Sequence, residues 1–134
     1  MTRPIPRILL AVSGTMGLAI GAAILFQPHG FMASSGITLG ADPSLLSEVR
    51  APGGFLIVCS LLMLAGAVRQ KMMLIGLLLS ALLYGTYGLS RLVSITFDGL
   101  PSNSLLTAMT IELIIGALSL TVLLRQTPAT GDIS

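Results

Sequence analysis

Four apolar stretches, each long enough to cross a bilayer, occupy nearly the whole chain and leave only short connections between them. Hydrocarbon about 30 Å thick takes about 20 apolar residues to cross. Inside it every backbone polar group must find its partner within the structure, so the stretches are expected as helices. They run roughly over residues 7–26, 43–68, 72–97 and 102–124. The composition agrees: 54% of the 134 residues are hydrophobic and 9% charged, whereas a soluble domain is about 25% charged. A soluble chain this apolar could not cover itself with polar side chains. The expected fold class is therefore all-α, a four-transmembrane-helix bundle forming one integral membrane domain over residues 1–134, with a polar tail at 127–134.

The net charge of +2 does not point to nucleic acid, because the basic residues flank apolar stretches, which is how membrane topology is written. Arg3, Arg7, Arg69, Lys71 and Arg125 all fall at one end of the expected bundle. By the positive-inside rule that end is cytoplasmic, so both termini are expected in the cytoplasm of a bacterial inner membrane. The stretch Ile8–Phe26 is too long for a signal-peptide core and reads as a retained anchor. Cys59 is the only cysteine, which removes dithiol–disulfide exchange within one chain; it reads as a small buried hydrophobe.

In the first span Ser13, Gly17 and Gly21 recur every four residues, a small-residue stripe suited to close packing against a neighbouring helix. His29 to Ala41 reads as a surface loop anchored by Phe31, Met32, Ile37 and Leu39. Asp42-Pro43 then reads as an N-cap followed by proline at the first helical position. Further on, Pro52 deprives the Glu48 carbonyl of its helical partner and is followed by Gly53-Gly54, so a kink or loosened turn is expected there. Arg69-Gln70-Lys71 is a tight polar turn, and Asp98-Gly99-Leu100-Pro101 is another. Ser102 or Asn103 is placed to cap the last span.

Five ionisable residues lie within or at the edge of the spans: Glu48, Arg50, Arg91, Asp98 and Glu112. A charge in hydrocarbon is costly unless paired or wet, so these locate a candidate site. With four spans all five fall toward the outer end; Glu48, Arg50, Arg91 and Glu112 lie roughly 7 to 15 Å inside the ends of their helices at 1.5 Å per residue. Arg91 is the natural hub, since a guanidinium can donate to two carboxylates in forked geometry; the expected pairs are Arg91 with Glu112 and with Glu48. Arg50 is about 200° around the helix from Glu48, and is left to reach Asp98, Asp42 or lipid headgroups. Tyr84 and Tyr87 share a polar stripe with Arg91, Ser94 and Asp98.

Three readings of this cluster stand side by side. It is a structural network that fixes helix packing, a ligand or substrate site, or a proton- or ion-coupling centre, which needs a carboxyl able to release a proton. The tyrosines either orient a ligand or satisfy a neighbouring charge. His29 has no second histidine or cysteine nearby, so no metal site is expected. Phosphate-loop, HExxH and GxSxG motifs are absent from the sequence, and no cofactor is expected.

Glu48-x-Arg50 followed by paired glycines, Gly88-x-x-Arg91 with Asp98-Gly99 downstream, and Glu112 in the last span resemble the domain-of-unknown-function 4345 family of small bacterial four-helix membrane proteins. The resemblance covers about Arg7 to Leu124 and rests on Glu48, Arg50, Gly54, Arg91, Asp98, Gly99 and Glu112; Pro52 has no place in the pattern. It implies four spans with a shared polar core and supplies no activity. Small multidrug-resistance transporters are similar in size but rely on a glutamate in the first span, where this chain has no acid. The DoxX-like proteins share only the architecture.

The sequence thus supports a small, non-enzymatic membrane protein that binds a lipid or apolar ligand or serves as an accessory subunit. Its expected partners are membrane lipid and a second copy or a larger membrane complex, and not nucleic acid. The alternative is a dimeric, proton-coupled transporter, because four helices enclose little pathway on their own, and a membrane enzyme is the third reading.

Overall fold

A computed structural model describes residues 4–126. Arg3 and the polar tail at 127–134 lie outside the described residues. The elements in chain order are α1 (Pro4–Phe26), α2 (Pro28–Ser34), α3 (Pro43–Val68), a 3-10 turn (Gln70–Met72), α4 (Met73–Asp98) and α5 (Asn103–Gln126). Helices α1, α3, α4 with its preceding turn, and α5 are each long and apolar enough to cross a membrane. The chain has the architecture of a multi-pass, all-α bundle.

Two helix pairs build the bundle. α1 packs along α3, α4 packs along α5, and the α3–α4 seam joins the pairs. The small-residue stripe of α1 explains the first pairing. A Cβ added to Gly21 would meet the Gly53 carbonyl at 2.9 Å, and one added to Gly53 would meet the Gly21 carbonyl at 2.9 Å. The two backbones touch, which is the close approach that small residues permit where apolar side chains gain nothing over lipid. α4 and α5 meet in the same way: a Cβ on Gly116 would stand 2.7 Å from the Gly85 nitrogen. Toward the 3-10 turn Leu10, Met63, Met73 and Leu77 are fully enclosed. The buried hydroxyls of Ser80 and Ser119 satisfy each other at 2.7 Å.

The basic ends gather as expected. Arg7 reaches across to the Ala67 carbonyl (3.4 Å) and the Gln70 side chain (3.5 Å). Arg125 lines a groove with Pro4 and Pro6.

Three local expectations need correction. First, of the kink or loosened turn expected at Pro52, the loosened turn does not occur: α3 is continuous from Pro43 to Val68. Gly53 after it serves the contact with α1 rather than a loosened turn. Second, the segment after α1 is not all loop. Pro28 opens a short helix, and Gly36, at φ +78°, closes it. The Ile37 N–H bonds the Met32 carbonyl and the Gly36 N–H bonds that of Ala33, both at 3.0 Å. This is a Schellman ending, in which glycine takes the left-handed position. Third, Ser102 precedes α5 and its carbonyl accepts from Leu106, but its hydroxyl donates to the Ser35 carbonyl at 2.9 Å instead of capping. The Asp42 cap is as expected, its carboxylate accepting from the Leu45 N–H at 3.0 Å.

Candidate functional site

The polar stripe of α4 turns toward α5. Gly88 lets the helices close: a Cβ there would strike Leu113 at 2.6 Å. Arg91 sits three residues on from Gly88, about 60° around the helix, and so faces the residue beside Leu113, which is Glu112. The Arg91 Nε donates to Glu112 Oε2 at 2.7 Å and its Nη2 to Oε1 at 3.1 Å, a forked, side-on pair. The side chains are 31% and 14% exposed. Geometry of this kind holds both groups in a single arrangement.

A cleft of about 70 Å³ opens in front of this pair. Ile20 and Ile24 of α1, Leu56 of α3 and Leu83 of α4 make its walls, and Phe31 of α2 covers one side. Tyr84 and Tyr87 lie along it with Arg91 and Glu112. Tyr84 is buried and its hydroxyl donates to the Ser13 carbonyl. It fits there because Gly17 carries no side chain; a Cβ at Gly17 would stand 3.1 Å from that hydroxyl and 2.2 Å from Ser60 Oγ. Tyr87 is 37% exposed. Its hydroxyl and the Arg91 Nη1 make no hydrogen bond among the described residues, so donors stay available at the mouth of an otherwise apolar cleft.

The other charges at this end go to separate partners. Arg50 lies about 60° around α3 from Gly53; it therefore faces α1 and donates to the Leu25 carbonyl. A cation there suits the negative end of the α1 dipole. It reaches neither Asp98 nor Asp42. Glu48 lies about 140° from Gly53, is exposed, and makes no ion pair among the described residues. The expected three-residue network is thus a single partly buried pair, and Arg91 does not hold Glu48. Asp98 accepts from the Ser94 hydroxyl at 3.1 Å in an exposed position. His29 is bound locally, its Nε2 3.1 Å from the Gly40 carbonyl.

Sequence reasoning missed the cover. Helix α2 brings Phe31 over the cleft, and the Ser102 and Ser104 hydroxyls tie its end to α5 through the Ser35 (2.9 Å) and Ser34 (3.3 Å) carbonyls. Proline at the first position with glycine beyond the end was the available signal.

Residues 5–123 match a family described as Domain of unknown function (DUF4345). The chain belongs to that family. Neither a curated protein nor a solved structure matches it. Of the positions that carry the resemblance, Arg91 and Glu112 form the one ion pair among the described residues of this DUF4345 member.

Proposed function

We propose that this DUF4345 protein is a non-enzymatic binder of an apolar or amphiphilic membrane molecule, held in the cleft beside the Arg91–Glu112 pair. The observation that carries the reading is a guanidinium with unspent hydrogen-bonding capacity in the mouth of an apolar, covered cleft. A pair that served packing alone has no need of that opening. The cleft's polar groups are two phenols and an ion pair, which position and recognise. The protein is assigned to a bacterial inner membrane with both chain ends cytoplasmic, on the grouping of Arg7, Arg69, Lys71 and Arg125 at one end.

The test is native mass spectrometry of the protein extracted in its own lipids, wild type beside Glu112→Gln. A defined small ligand in the wild type that is lost in the variant supports the reading. A bare wild-type protein, or one carrying only partner chains and unaffected by the substitution, overturns it in favour of an accessory subunit.

A further inference from the structure

The cleft shares two of its residues, Leu83 and Tyr87, with a second hollow of about 270 Å³. This hollow runs between α3 and α4, with Phe55 and Cys59 on one wall and Leu79 and Thr86 on the other. Phe55 is 64% exposed and Thr86 is also exposed, so the groove opens on the outer surface of the bundle, where lipid lies in the membrane. From Tyr87 it descends to Leu79, eight residues and about 12 Å along the helix axis, away from the α2 end. The two hollows thus adjoin at Leu83 and Tyr87, and the apolar groove runs from the middle of α4 toward the 3-10 turn.

Resting on the ligand-binding reading above, we infer that the ligand is an uncharged single-chain amphiphile, its head in the cleft and its tail in the α3–α4 groove, entering sideways from lipid past Tyr87. Size limits the head. A cleft of about 70 Å³ is half the ~150 Å³ that admits benzene, enough for a few heavy atoms. Charge limits it further. Glu112 already meets the Arg91 charge, so an anionic head would lie beside a carboxylate and a cationic head beside a guanidinium. Each charged head is attracted by one member of the pair and repelled by the other, so little net attraction offsets the cost of taking its charge out of water. Of the open groups, Arg91 Nη1 can only donate and the Tyr87 hydroxyl can donate as well as accept, so the head offers a neutral acceptor oxygen of the hydroxyl, ester or amide kind. The tail occupies the groove because the groove adjoins the cleft at Leu83 and Tyr87, whereas the hollow on the α4–α5 face shares no lining residue with it.

The test uses a long-chain alcohol with a diazirine at the chain terminus, and the matching alkyl sulfonate, which stays anionic at neutral pH, with the whole protein in phosphatidylcholine nanodiscs. After irradiation the labelled peptides are mapped. The alcohol is expected to label the Phe55–Cys59 and Leu79 regions, to be competed by unlabelled alcohol, and to exceed the sulfonate at least about fivefold. Thr86→Trp fills the groove at an exposed position and is expected to lower this labelling by a similar factor; Leu89→Trp, also exposed but outside the groove, leaves it unchanged. Competable label on Leu113 and Leu120, on the α4–α5 face, overturns the tail path while the cleft reading stands. Equal labelling by the sulfonate overturns the uncharged head. Loss of all competable labelling, together with a bare protein in native mass spectrometry, removes both the inference and the reading beneath it.

Discussion

The two ends of the bundle are built on different principles. Near the 3-10 turn the helices close on one another: Leu10, Met63 and Leu77 have no exposed surface, and even the serine hydroxyls of Ser80 and Ser119 are sealed in and paired. Toward the α2 end each pair stays closed, at Gly21–Gly53 and at Gly88, but a cleft lies between the pairs beside Tyr87, Arg91 and Glu112, and a seven-residue helix covers it. The closed end supplies packing, which lets the open end hold a charge pair and an apolar cleft without losing the fold. Stability and binding chemistry are thus separated along the bundle axis.

Leu77→Ala probes the closed end and should have the largest effect. Its fully enclosed side chain leaves a cavity costing about 2–5 kcal/mol, read as reduced resistance to unfolding in detergent titration, with ligand occupancy falling only as the fold is lost. At the open end Arg91→Ala strands the Glu112 carboxylate. Because the guanidinium is 31% exposed, the cost should fall below the 3–5 kcal/mol of a fully buried pair, at about 1–3 kcal/mol. Adding Glu112→Gln should recover part of that loss. A double variant as damaged as the sum of the singles means that the two side chains do not couple. Gly36→Ala forces an alanine to φ +78° and should cost about 1 kcal/mol. The signature is faster hydrogen exchange confined to residues 28–37, with the melting of the long helices unchanged. The smallest effect is expected from Ser102→Ala, which removes one exposed hydrogen bond to α2 and about 0.5–1 kcal/mol. If it loosens α1 or α3 as well as α2, the separation between the two ends is wrong.

Hydrophobic length and charge placement made the four spans legible, because the demands of a bilayer on backbone hydrogen bonds leave few alternatives. The Arg91–Glu112 pair was also legible, since the helical repeat and a shared depth placed the two groups within reach. The pairing of Arg91 with Glu48 was a fair reading of depth and charge but ignored direction. Which way each side faces is set by the glycines at the contacts, and Gly53 turns α3 so that Arg50 meets α1 while Glu48 faces outward. Helix α2 was hidden because seven residues carry too little periodicity to stand out from a loop, although Pro28 and Gly36 mark its ends.

By itself the sequence determined the class of solvent, the number of spans and the end at which the charges gather, all of which follow from the cost of placing polar groups in hydrocarbon. Only the tertiary structure decided which charges meet, where the cleft opens and what covers it. Those outcomes depend on the rotation of each helix about its axis, and that rotation is fixed by backbone contacts at Gly21, Gly53, Gly88 and Gly116 that no single stretch of sequence contains.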